Sequence, residues 1–226
     1  MFLLTFYRST IGKKVIMGVT GLIGIGFVIL HMIGNLQAFV GPSKLNAYGA
    51  LLHGPLNELL WLLRVILIVA VVLHVLMAYQ LTRRAHAARP IGYQRREPQV
   101  STLAARTMRW GGVLLLVFIV VHILHFTTET IDPGHARGLV DIHGNRDVYG
   151  NLVSSFRVWW VAAFYIIAMI ALGLHLYHGA WSSVRTLGHA RPSPHPLHRR
   201  IALIVAVVVW AGFTLVPVGV MAGILR

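Results

Sequence analysis

Apolar residues in this chain do not alternate with polar ones; they run together. Five apolar blocks, separated by charged or proline-rich stretches, each approach the roughly 20 residues that cross a bilayer as a helix. They predict helix I over about 15–40, helix II over 56–81, helix III over 110–126, helix IV over 158–181 and helix V over 201–224. The chain, 1–226, therefore reads as a single all-α integral membrane domain. The first block is too long for a removable leader, carries His31 and ends without a small-residue cleavage pattern.

The connections between the blocks predict an orientation. Arg8, Lys13 and Lys14 precede helix I. Arg83, Arg84, Arg89, Arg95, Arg96, Arg106 and Arg109 separate II from III, and Arg185, Arg191, Arg199 and Arg200 separate IV from V. The other side carries Lys44, Arg137, Arg146 and Arg157, and also Glu58, Glu129, Asp132, Asp141 and Asp147. Cations collect on the cytoplasmic side of membrane proteins, so the N-terminus is expected in the cytoplasm and the C-terminus outside. The long III–IV connection, about 127–157, is expected to cap something. The IV–V connection, with Pro192, Pro194 and Pro196, reads as an extended tether.

Composition narrows the chemistry. Hydrophobic residues make up 57% of the chain, above the usual soluble share. The formal charge of +14 does not mark a nucleic-acid partner, because its cations flank the apolar blocks. Cysteine is absent, which excludes thiolate chemistry, iron–sulfur ligation by this chain and covalent haem attachment. Histidine is plentiful, with 13 residues. His31, His74, His122, His125, His175 and His178 fall inside predicted helices, where ionisable side chains are costly and are candidates for function, although a lone one is as readily a donor to a neighbouring backbone carbonyl.

Depth sorts these histidines. At about 1.5 Å rise per residue, His31 lies roughly 25 Å beyond Lys14 and His122 roughly 20 Å from Arg109. His74 lies roughly 13 Å from Arg83 and His175 roughly 15 Å from Arg185. An outer pair, His31 with His122, and an inner pair, His74 with His175, are expected. Two imidazoles at one depth can hold one haem iron axially. Spacing alone leaves His122 and His125 open as alternatives, and likewise His175 and His178, because residues three apart share a helix face. Gly18, Gly21, Gly24 and Gly26 on helix I would let a flat macrocycle or a neighbouring helix approach closely.

Local sequence adds a resemblance. Helix I reads His31-Met32-Ile33-Gly34-Asn35-Leu36-Gln37, followed by Gly41-Pro42 and Leu45-Asn46-Ala47-Tyr48. Asp147-Val148-Tyr149-Gly150 precedes helix IV, which contains Leu172-Gly173-Leu174-His175-Leu176-Tyr177-His178-Gly179-Ala180-Trp181. Along its whole length the chain resembles the dihaem cytochrome b anchor of succinate dehydrogenases and fumarate reductases, in the form with one five-helix anchor chain. The resemblance implies two haem b groups, with His31 and His122 holding the outer iron and His74 and His175 the inner one. It also implies a flavoprotein subunit and an iron–sulfur subunit on the cytoplasmic side of a bacterial-type inner membrane. Electrons would pass to or from a quinone, menaquinone being the expected type. With no flavin fingerprint and no cysteine, this chain itself would hold no succinate-oxidising site.

Four further residues are candidates at the quinone. Glu58, at the outer end of helix II, would take a quinol proton or be an ordinary helix-end charge, and the second reading is favoured. Arg64 is expected to neutralise a haem propionate. Ser9 and Lys13 would meet a quinone at the cytoplasmic end, though basic residues belong there on topology alone. Two other functions compete: a cytochrome b subunit of a hydrogenase, formate or nitrate enzyme, and a haem-free transporter whose histidines relay protons.

Overall fold

The computed structural model describes residues 2–89, 91, 101–189 and 197–226. Arg95, Arg96, Arg191 and the stretch holding Pro192, Pro194 and Pro196 lie outside the described residues. The helices are α1 (Phe2–Arg8), α2 (Thr10–Leu36), α3 (Pro42–His53), α4 (Asn57–Ala87), α5 (Leu103–His122), α6 (Val148–Arg157), α7 (Trp159–Thr186) and α8 (Leu197–Met221). Five of them, α2, α4, α5, α7 and α8, are long and apolar enough to cross a membrane, with mean hydropathies between 1.9 and 2.8. The protein is an all-α multi-pass bundle.

The crossing helices run beyond the apolar blocks at the cation-rich end. α4 continues to Ala87, α5 starts at Leu103 and α7 ends at Thr186. A helix stops where its backbone is capped, not where hydrocarbon ends. Thus Ser9 Oγ accepts the Gly12 N–H at 2.8 Å and Thr102 Oγ1 accepts the Ala105 N–H at 3.1 Å, satisfying free amides at the starts of α2 and α5. The last turns of α4 are tied to the start of α2. Arg84 donates to Thr10 Oγ1 at 3.0 Å and to the Arg8 carbonyl at 2.7 Å.

The opposite, acid-bearing end is closed by α3 and α6. Asn46 on α3 donates through Nδ2 to Asp147 Oδ1 at 2.8 Å and accepts the Tyr149 N–H at 2.9 Å. Asp147 also caps α6, accepting the Gly150 N–H at 2.8 Å. The III–IV connection lies on α6 so tightly that a Cβ on Gly134 would come within 2.6 Å of the Ser154 carbonyl carbon; only glycine fits there. Beneath this cap Leu45, Leu152, Phe156, Ala162 and Val216 are buried together.

α7 is the central helix and packs on α8, α5 and α2, while α4 lies along α2. α4 presents Ala70, His74 and Met77 on one stripe; Ala70 and Met77 are buried, and Leu62, Val65 and Ile68 stay exposed. In a bilayer those exposed side chains face lipid. α4 and α5 share no comparable packed face.

Candidate metal centre: two histidine pairs in the bundle

Four histidines from four helices meet as two pairs. The rings of His31 (α2) and His122 (α5) have centroids 5.8 Å apart and stand edge to face at 77°. The rings of His74 (α4) and His175 (α7) are 6.1 Å apart, tilted at 56°. An iron bound axially by two imidazoles, each at about 2 Å, separates their ring centroids by roughly 6 Å. Both pairs have the spacing of an axial ligand set.

Two helices independently fix the distance between the pairs. His74 Nδ1 lies 3.1 Å from the Met17 carbonyl oxygen on α2, and His31 follows 14 residues later on that helix. A Cβ on Gly112 of α5 would lie 3.9 Å from His175 Cε1, and His122 follows ten residues later. At 1.5 Å per residue the pairs stand roughly 15–20 Å apart along the bundle. His74 and His175 are the pair nearer the cationic end.

The surroundings suit a flat apolar group. His31 stacks on Phe27 at 5.4 Å and meets Phe213 at 5.7 Å; His122 stacks on Phe118 at 5.6 Å. A Cβ added at Gly24, Gly26, Gly111 or Gly179 would meet nothing within 4 Å. A cavity of about 70 Å³ opens beside His175, lined by Thr107, Met108, Gly111, Ala171 and Leu174. His175 Nδ1 is buried without a hydrogen-bond partner, an arrangement that costs free energy. The His74 ring accepts no such penalty: its Nδ1 can donate to Met17 and touch Thr20 Oγ1 at 3.3 Å, leaving Nε2 free. Among the described residues no three His, Cys, Asp or Glu side chains converge. Two chain nitrogens alone do not close a bare-ion site, but they complete an iron already held by four macrocycle nitrogens. The residues present fit a haem at each pair.

No protein-family model, curated protein or solved structure matches this chain.

The remaining candidates are placed as follows. His125 is buried and both its ring nitrogens are engaged, Nδ1 by the Tyr165 hydroxyl at 2.9 Å and Nε2 by Ser155 Oγ at 2.9 Å. His178 is half-buried, one turn beyond His175. Glu58 is exposed in the first turn of α4. Arg64 is half-buried, its guanidinium 5.0 Å over the Trp61 ring. The Ser9 hydroxyl is consumed by capping, since it also donates to the Phe6 carbonyl at 2.8 Å. Lys13 is buried, with its ammonium bonded to Gln80 Oε1 and 4.1 Å over the Tyr7 ring. Gln80 in turn donates to the Tyr7 hydroxyl at 3.1 Å.

Sequence reasoning missed Tyr165, Ser155 and Asn151, which join His125 in one polar cluster. The residues are scattered between α5, α6 and α7, and no spacing rule links them. The end of α5 also widens into a π-turn over Ile123–Thr127, so that His122 and His125 both reach one hydroxyl, Tyr165 Oη, at 3.3 and 2.9 Å. Such bulges recur at functional sites.

Proposed function

We propose that this chain is the membrane-anchor and electron-transfer subunit of a succinate:quinone oxidoreductase, a dihaem cytochrome b. The observation that carries the reading is the meeting of four intramembrane histidines as two pairs, near 6 Å between rings, at two depths. His31 and His122 would hold the outer haem iron, and His74 and His175 the inner one. The haems supply one-electron carriage. The chain's own residues orient the ligands, exclude water from the slots and fix their depth. The His175-to-Trp181 stretch favours the succinate and fumarate enzymes over other quinone-linked cytochromes b.

On this reading the N-terminus is cytoplasmic, and the flavoprotein and iron–sulfur subunits dock on the cationic face carrying Arg83, Arg84, Arg106 and Arg109. His74 and His175 would hold the haem nearer the partner's last cluster and His31 and His122 the one further from it, with a membrane quinone, menaquinone in type, as the other substrate. The membrane is a bacterial-type inner membrane. Glu58 and Arg64 are the candidates near an outer quinone, with Arg64 as a propionate partner; Lys13 is the candidate at the cytoplasmic end.

The test is a reduced-minus-oxidised spectrum of the purified chain, with succinate oxidation assayed on the same sample. The reading expects a low-spin b-type spectrum and no succinate oxidation without partners. A colourless protein would favour a haem-free transporter, and succinate oxidation by the isolated chain would contradict the assignment.

A further inference from the structure

His125 is buried beside the outer pair, at 3% exposure, yet it belongs to neither pair. It sits in a continuous line of hydrogen bonds. Arg146 is paired with Glu129 at 2.5 Å. Glu129 Oε1 accepts from Asn151 Nδ2 at 2.8 Å. Asn151 Oδ1 accepts the Ser155 hydroxyl proton at 3.1 Å. Ser155 Oγ meets His125 Nε2, His125 Nδ1 meets Tyr165 Oη, and Tyr165 Oη meets His122 Nδ1, at 2.9, 2.9 and 3.3 Å.

Counting protons gives this line a direction. An ionised carboxylate only accepts, so Asn151 must turn its NH2 to Glu129 and its oxygen to Ser155. A serine has one hydroxyl proton. Spent on Asn151, it leaves Ser155 Oγ as acceptor from His125 Nε2–H. A neutral imidazole protonated at Nε2 has a bare Nδ1, which accepts the Tyr165 proton. Tyr165 Oη, its one proton spent, accepts from His122 Nδ1–H. A neutral His122 protonated there presents a bare Nε2, the form an axial iron ligand must take. Run the other way, the line would leave the Asn151 oxygen unpaired in a buried site and would put the proton on the His122 nitrogen needed for a metal.

We propose that Glu129, Asn151, Ser155, His125 and Tyr165 form a one-way hydrogen-bonded chain that holds His122 with Nδ1 protonated and Nε2 bare. The carboxylate at the membrane surface thereby sets the tautomer of a side chain in the bilayer. These are positioning residues, and none of them touches the iron. The part of the inference that concerns a haem rests on the proposed function. An acceptor on the far nitrogen of a ligating imidazole raises its basicity, which favours the oxidised metal and lowers the potential of the outer haem.

The experiment uses the full chain as purified, with Tyr165→Phe and Ser155→Ala variants and a redox titration resolving the two haems. Both variants are expected to raise the midpoint potential of the outer component and leave the inner one unchanged, Tyr165→Phe by the larger shift. A purely structural role would lower stability without moving one potential alone. An unchanged outer potential in Ser155→Ala with both haems retained overturns the proposal, and this variant decides the question if Tyr165→Phe loses haem. Should the wild-type chain carry no haem, the functional reading fails by itself. The nitrogen-15 spectrum of histidine-labelled full chain then tests the line: protonation of His125 at Nε2 supports it, and protonation at Nδ1 overturns it.

Discussion

His74 reaches from α4 to set its Nδ1 3.1 Å from the Met17 carbonyl oxygen on α2. That carbonyl is already the acceptor of a helical turn, and its second lone pair takes the imidazole. The bond fixes both the rotation of the ring and the nitrogen that stays free. The space around it is narrow: a Cβ on Gly21 would lie 3.2 Å from His74 Cε1.

Gly21→Val therefore tests the inner pair without touching a histidine. The added branches push the His74 ring from its place, because a side chain in a packed interior cannot yield without leaving its rotamer well. The variant is expected to lose or shift the inner haem component and to spare the outer one in a redox titration. Equal perturbation of both components would show that His74 is not held as described.

Removing the histidines one at a time should produce two phenotypes. His74→Ala and His175→Ala are expected to abolish one haem component, and His31→Ala and His122→Ala the other. His125→Ala should leave both haems bound, because its nitrogens are spent on Tyr165 and Ser155. Loss of one and the same component in His31→Ala and His74→Ala would break the pairing.

Asn46→Ala tests the cap. The side chain bridges α3 to α6 over 101 residues of sequence and is 5% exposed. Its loss strands the Tyr149 amide and removes a bond to a carboxylate, each worth about 1–3 kcal/mol. A drop in unfolding temperature in detergent is expected, with the spectrum of the inner haem unchanged. A stability equal to wild type would mean that water replaces Asn46 without cost.

The five crossings were legible because a run of apolar residues has few other fates. Their ends were not. Arg83, Arg84 and His86 look like the close of helix II, yet α4 continues through them to Ala87, since charged side chains on a helix extending into the headgroups are well solvated. The helical form of α3 and α6 was hidden as well. At 12 and 10 residues they are too short to stand out as crossings, and what holds them is the packing of Leu45, Leu152 and Phe156 in the cap together with the long-range bond between Asn46 and Asp147. The histidine depths were readable from helical rise alone. The line from Glu129 to His122 was not, because it depends on the π-turn after His122 and on rotamers of residues far apart in sequence.

On the proposed function, the place of a quinone has its own test. Reaction at the outer end would carry electrons through the membrane from the cytoplasmic partner. One charge moved through 100 mV costs about 2.3 kcal/mol, enough to alter a near-balanced reaction. Succinate-to-menaquinone turnover in energised vesicles should then respond to an uncoupler and fall in Glu58→Gln or Arg64→Gln. Indifference to both, with loss of turnover in Lys13→Met, would move the quinone to the cytoplasmic end beside Tyr7 and Gln80.

On the proposed function, His31 with His122 and His74 with His175 each hold one haem. Pyridine haemochrome quantification against protein mass measures it most directly, on chain purified without haem loss. Two b-type haems per chain are expected, falling to one when either member of a pair is replaced by alanine. A wild-type ratio of one, or of none, would contradict it.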